Sequence, residues 1–217
     1  DAGAFWRVAS EHGVEALFTA PTAIRAIKKE DPDGLHLGKY DLSALQYLFQ
    51  AGERLDPGTY HWASEKLGIP VIDHWWQTET GWAIAGNPMG VEPLPIKPGS
   101  ATVPMPGYDV RILRPDGTEC DAGEEGAICV RLPLPPGTLP TLWGDDDRYR
   151  ENYWSKYAEQ GWYFAGDGAR VDSDGCIWLL GRIDDVMNVS GHRISTTEVE
   201  SALVDHQDVA EAAVIGK

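Results

Sequence analysis

The chain has 217 residues, 42% hydrophobic and 24% charged, with a formal net charge of −16. This is the composition of a folded globular protein, without a membrane-length apolar run or a charged-then-apolar leader, and its acidity argues against a nucleic-acid platform. Three scattered cysteines, Cys120, Cys129 and Cys176, include no C-x-x-C pair, which favours reduced thiols in a cytoplasmic compartment, or an organelle matrix in a eukaryote.

Residues 2–12 read as a helix with Phe5, Val8 and Ala9 on one face. "VEALFT" follows as a short apolar strand. "APTAIRAIKKE" reads as a helix, with Thr19 as its N-cap and Pro21 in the first turn, where the missing N–H costs nothing. "LQYLFQA" is a second strand. Asp56-Pro57 opens a helix through "YHWASEKLG" that Gly68 ends, and "PVID" is a third strand. Strands alternating with helices predict a largely parallel α/β sheet.

After Gly81 the texture changes. "PMGVEPLPIKPG" is a proline-rich loop. "YDVRIL", "RPDGTE" and "GAICVRL" read as strand, turn and strand. "LPPGTLPTLWGDDDRYREN" reads as irregular, and "GWYFAGDGARVDSDGCIWLLGR" as a second meander turning at "SDG". Ser195 and Glu198 fit a capping box ahead of a helix with Val199, Ala202 and Leu203 on its apolar face. "AEAAVIG" reads as a closing strand. The expected fold class is mixed α/β. Residues 1–183 are expected to be part of one large domain and 184–217 the beginning of a smaller one. Both ends look internal, so the expectation is a fragment of a longer enzyme.

The P-loop, G-x-G-x-x-G, H-E-x-x-H and G-x-S-x-G signatures do not occur. Four other stretches carry candidate chemistry. "AGER", residues 51–54, ends a predicted strand, where open α/β sheets bind ligands; alone it also reads as a turn. "DHWWQTETGW", residues 73–82, sets an amide, a hydroxyl and a carboxylate beside two tryptophans. That set suits a phosphate and a Mg2+ ion, and equally a core aromatic pair beside a polar loop. Asp167 in "GDGARVDSDG" can accept from a ribose cis-diol or sit in a β-turn. "GRIDDVMNVSGHR" offers Arg182 and Arg193 for phosphate, or a surface loop of ion pairs, with Asp184 and Asp185 at a hinge.

With "TAPTAIRA" and "STTEVESALVDH", these stretches occur in an order and spacing that resembles the acyl-CoA synthetases of the adenylate-forming superfamily, in the acetyl- and propionyl-CoA synthetase branch. The match covers nearly all 217 residues. The resemblance implies a ligase acting on ATP, a small carboxylate and CoA, with no nucleic-acid or membrane partner. Gly52, Glu53 and Arg54 would line the adenine site, although the family usually has proline at Arg54. Asp73, His74, Trp75, Trp76, Gln77 and Thr78 would line the adenine and phosphate region, with Thr78, Glu79 and Arg193 catalytic and Glu79 a Mg2+ ligand. Asp167 and Arg182 would meet ribose and phosphate, Ser190 and Gly191 the CoA tail, and Asp184 would be the hinge. Val204, His206 and Val209 match a second cation site.

Trp76 would cap the acyl pocket. Ala51 stands where acetate-using relatives have valine, and losing two methyls opens room for about one more carbon, worth roughly 1–3 kcal/mol per methylene. The expected substrate is therefore propionate or a similar short acid. The family's phosphate loop and its adenylating lysine are not in these residues, so the segment alone is expected to show little ligase activity. Acetyl-CoA synthetase proper, a non-catalytic nucleotide-binding module and an enzyme that loads a carrier protein are the rival readings.

Overall fold

The computed structural model describes residues 1–183, 186–189, 192–204, 206, 209 and 212–215; among the side chains of 186–204, those of Thr196, Val199, Glu200, Ala202, Leu203 and Val204 are described. The first part alternates helix and strand: α1 (Ala4–His12), β1 (Ala16–Thr19), α2 (Pro21–Glu30), β2 (Tyr47–Gln50), α3 (Pro57–Leu67) and β3 (Val71–Asp73). The three strands are parallel in the order β1-β2-β3. The core between this sheet and its helices gathers Trp6, Ile24, Ile27, Leu48, Leu55, Trp62, Ala63 and Val71.

The local signals that build α3 act as read. The Asp56 carboxylate accepts from the Thr59 N–H, Pro57 occupies the first turn, and Gly68 closes the helix in the left-handed region at φ 65°. Helix α2 differs: Ala20 is the N-cap, without a side-chain bond, and Thr19 is the last residue of β1. Helix α1 also differs in its buried face. Trp6 is completely buried and Val8 is 45% exposed, because the large indole and not the valine meets the sheet side. β1 itself has no fully buried residue, unlike the enclosed strand its apolar sequence suggests.

Beyond residue 84 lie β4 (Ala85–Gly86) and β5 (Val103–Pro104), an antiparallel pair. Next come β6 (Val110–Leu113), β7 (Gly126–Arg131), β8 (Trp162–Val171) and β9 (Ile177–Arg182). The two expected meanders are one four-stranded antiparallel sheet, β6-β7-β8-β9, because β7 pairs directly with β8. The stretch between them is not wholly irregular: α4 (Asp146–Trp154) forms there, with the Asp145 carboxylate accepting from the Arg148 N–H. A core of Ile84, Ala85, Ala101, Val110, Ile112, Ile128, Val130, Tyr163, Ala165, Ala169 and Ile177 packs on one face of the sheet.

Strand β8 is irregular where it passes the candidate site. Between the pairs Ala127–Gly168 and Cys129–Phe164 it has three residues, 165–167, opposite one in β7. On its other edge Gly168 pairs with Gly181 and Ala169 with Leu179, which leaves Leu180 as a one-residue bulge in β9. An antiparallel hairpin, β10 (Val186–Val189) with β11 (His192–Ser195), and α5 (Thr196–Val204) complete the regular structure. The expected closing strand is not formed at the described residues 212–215. The Ser195–Glu198 capping side chains lie outside the described residues, as do Asp184 and Asp185. Among the described residues no helix is long and apolar enough to cross a membrane, and the three cysteines are unbridged.

Candidate functional site

A cavity of about 610 Å³ opens where the C-terminal ends of β2 and β3 face β8, β9 and the end of α5. Its walls include Gly52, Glu53 and Arg54, every residue from Asp73 to Gln77, Asp167 and Arg182, and Val204. Stretches separated by more than a hundred residues in sequence therefore share one wall.

The residues after β2 turn sharply. Gly52 is exposed and has φ +103°, a conformation that glycine adopts without strain. The Glu53 carboxylate points back to α2, where it accepts from the Thr22 N–H at 2.9 Å, from the Thr22 hydroxyl and from Arg25. Arg25 also donates to Asp56 at 3.2 Å and is only 9% exposed. This buried cation lines the cavity and was missed in the sequence, where the helix could be read but not its ion pairs with residues about thirty positions away. Arg54 packs against Gly99, and its buried Nε has no hydrogen-bond partner.

At the end of β3, the Leu55 N–H donates to Asp73 Oδ2 at 3.4 Å. Burial pushes the Asp73 carboxyl up to about 7, against the opposing pull of the Leu55 N–H and the Arg54 charge. Burial lowers the pKa of His74. Its Nδ1 lies 2.7 Å from the Gln50 carbonyl; since a carbonyl only accepts, Nδ1 carries the proton and Nε2 is left as an acceptor. Phe18 and Phe49 meet the His74 ring edge-on.

The tryptophan pair divides. Trp75 bridges to Ala85, packs against the core of the antiparallel sheet, and donates its Nε1–H to Asp167 Oδ2 at 3.1 Å. Trp76 lines the cavity, with its ring 6.3 Å from Phe18. Gln77 donates to the Ala165 carbonyl at 2.6 Å and to Asp167 Oδ2 at 3.2 Å, and it accepts from the Tyr163 hydroxyl at 3.0 Å. Arg182 donates to the Ala165 carbonyl at 3.2 Å and stands 3.6 Å from Asp167 Oδ1. Gly166 makes this approach possible: its φ is +80°, and a Cβ there would lie 2.7 Å from the Arg182 guanidinium.

Several expected residues stand apart from the cavity. Thr78 is exposed and Ala51 is buried at 5% exposure; neither lines it. Glu79 is held elsewhere: its side chain accepts from the Tyr153 hydroxyl, and its backbone carbonyl from the Leu139 N–H at 2.6 Å. Val204 reaches the cavity, while His206 and Val209 follow it off the wall, joined by a backbone bond of 2.9 Å. Arg193 has its backbone in β11, paired with Asn188, and its side chain lies outside the described residues. Ser190 and Gly191 lie outside them altogether.

This geometry suits a nucleoside: a glycine turn for a flat ring, a fixed carboxylate for a diol, and arginines for phosphate. The comparisons with known proteins point the same way. A family model described as AMP-binding enzyme matches residues 1–138. The chain is 52% identical to an uncharacterized protein of Pseudomonas aeruginosa over 216 residues, covering 100% of this chain and 34% of that one. It is 47% identical to the acetyl-coenzyme A synthetase of Chlorobaculum tepidum over 216 residues, covering 98% and 32%. It is 49% identical to that of Rubrobacter xylanophilus over 220 residues, with the same coverage. Among solved structures, an anthranilate CoA ligase in complex with anthranoyl-AMP superposes with a TM-score of 0.81 at 30% identity, covering 100% of this chain and 39% of the other. The chain thus spans about a third of the length of the curated relatives it matches.

Proposed function

The chain belongs to the AMP-binding enzyme family, and from that membership we propose that it is the nucleotide-site segment of an AMP-forming short-chain acyl-CoA synthetase. In the first step a carboxylate oxygen attacks the α-phosphorus of ATP, giving acyl-adenylate and releasing pyrophosphate. In the second the CoA thiolate attacks the acyl carbon, forming the thioester and releasing AMP. The observation that carries the reading is the single wall on which residues 52–54, 73–77, 167 and 182 meet.

In this reading Gly52 and Arg54 flank the adenine, with Asp73 and His74 behind it. Asp167 accepts from the ribose hydroxyls. Trp75 and Gln77 fix its carboxylate beforehand, so little reorganisation accompanies binding. Arg182 lies against ribose and phosphate, and Arg193 on the phosphate side. Glu79 fits a Mg2+ ligand: Tyr153 engages Oε1, and Oε2 has no protein partner among the described residues. Mg2+ is commonly bound by one or two carboxylates together with substrate phosphates, and would neutralise phosphate charge. Val204, His206 and Val209 supply a second cation position, Ser190 and Gly191 meet CoA, and Asp184 is the hinge between domains 1–183 and 184–217. The setting is cytoplasmic.

Propionate is the preferred acid, on the grounds of alanine at position 51 with Trp76 capping the pocket. Acetate is the second reading, favoured by relatives named acetyl-coenzyme A synthetase. ATP–pyrophosphate exchange and acyl-CoA formation by the full-length polypeptide with acetate, propionate and butyrate test both. The expected result is a kcat/KM at least about tenfold higher for propionate than for acetate. A preference for acetate overturns the assignment of the acid, and failure to exchange with any short acid overturns the ligase.

A further inference from the structure

Helix α4 takes no part in the cavity, yet through Tyr149 and Tyr153 it reaches Glu79, two residues beyond the wall residue Gln77. These residues stand four apart and so share one helix face. Tyr149 Oη donates to the Leu139 carbonyl at 2.8 Å, and the Leu139 N–H in turn donates to the Glu79 carbonyl at 2.6 Å. Tyr153 Oη donates to the Glu79 carboxylate itself. One face of one helix therefore grips the backbone of Glu79 through a relay and its side chain directly.

The Tyr153 ring is fixed without help from its hydroxyl. It stacks on Tyr163 with centroids 5.6 Å apart and planes 10° from parallel, and it meets Tyr149 at 5.6 Å. Tyr163 is only 1% exposed and donates to Gln77 Oε1 at 3.0 Å. The stack thus links Glu79 to the group that holds Asp167. A neutral donor is also the informative choice. Lysine or arginine would orient the carboxylate while cancelling its charge; a phenol orients it and leaves the charge for a cation.

We infer that Tyr153 is a positioning residue for cation binding, its hydroxyl locking one Glu79 oxygen so that the other faces the nucleotide phosphates. This rests on the reading of Glu79 as a Mg2+ ligand. It follows from fixing a side chain with three rotatable bonds before the ligand arrives.

The test compares Tyr153→Phe and Glu79→Gln with the parent sequence in the full-length polypeptide. Mn2+ binding to the complex with a non-hydrolysable ATP analogue, followed by the EPR signal of free Mn2+, is the primary readout. The Mg2+ dependence of pyrophosphate exchange is the second. Tyr153→Phe keeps the stacked ring. Its expected effect is a rise of about three- to tenfold in both the Mn2+ dissociation constant and the half-saturating Mg2+, with the maximal rate at saturating Mg2+ within about twofold and the melting temperature within about 2 °C. Unchanged Mn2+ binding in Tyr153→Phe alongside weakened binding in Glu79→Gln overturns this inference alone. Unchanged binding in both overturns the metal reading of Glu79 as well. A rate lost equally at all Mg2+ concentrations, or a melting temperature lowered with nothing else altered, makes the tyrosine merely structural and overturns the inference too.

Discussion

Single side chains in this site have divided loyalties. Trp75 belongs to the core by its ring and to the site by its indole N–H; composition offered these as alternatives, and the indole does both. Asp73 carries the clearest electrostatic consequence. Desolvation holds its carboxyl near 7, whereas an unfolded chain releases that proton near pH 4. Between about pH 4 and 7 the folded state binds the extra proton, so this residue lowers stability as pH rises through that window and adds no further loss above it. Asp73→Asn, neutral at every pH, is expected to exceed the parent in stability by about 2 kcal/mol at pH 8, the difference shrinking toward zero at pH 4. Urea melts at the two pH values check this; an equal gap at both would show that charge is not the cause.

At the scale of elements, what the sequence revealed was what is decided locally. Asp56, Pro57 and Gly68 bound α3 through groups within four residues of one another, and such signals survive without a tertiary frame. Helix α4 did not stand out because its charged surface, with Asp146, Asp147, Arg148, Arg150 and Glu151, hides the apolar face. Tyr153 and Trp154 acquire meaning only when Tyr163 of β8 lies against them. Asp56 does two jobs, capping α3 and pairing with buried Arg25. Asp56→Ala is therefore expected to cost about 3 kcal/mol, more than the ~1 kcal/mol of a cap alone, because a buried cation loses a partner; denaturant unfolding measures it. Neighbouring glycines of β8 should behave differently. Gly166→Ala meets both a positive φ and the Arg182 guanidinium, and is expected to weaken AMP binding at least about tenfold. Gly168→Ala finds its nearest neighbour at 3.7 Å, so calorimetry with AMP should find its affinity within about twofold of the parent.

Across the whole molecule, the order of motifs was legible, with residues 51–54 and 73–82 at the ends of β2 and β3, although Asp167 lies inside β8 and not after a strand. Their meeting in space was not, since Gln77 and Asp167 lie 90 residues apart. Arg25, Tyr153 and Tyr163 were overlooked for the same reason: each acts through partners that sequence distance conceals. A ligand in the cavity touches the ends of the parallel strands and the antiparallel sheet together, so it should stabilise both against unfolding. An acyl-AMP analogue at a hundred times its dissociation constant is expected to add about 2.7 kcal/mol and raise the melting temperature of the full-length polypeptide by about 2 °C. No shift at that excess would argue that the wall does not bind nucleotide.

The two bulges also set a rule of parity. Side chains alternate across a strand, so an odd insertion exchanges faces and an even one preserves them. The irregularity of β8 against β7 adds two residues, and Tyr163, Ala165 and Ala169 accordingly stay on the same core face on either side of it. The irregularity of β9 adds one, Leu180. Leu179 faces the core with its partner Ala169, and three positions later Arg182 faces the same side, opposite Asp167. Three positions of regular alternation would put Arg182 on the far side of the sheet; the bulge at Leu180 absorbs the odd residue and keeps Arg182 on the face of Asp167. In this stretch the bulge, more than the identity of the side chains, fixes which face of the sheet carries the charge.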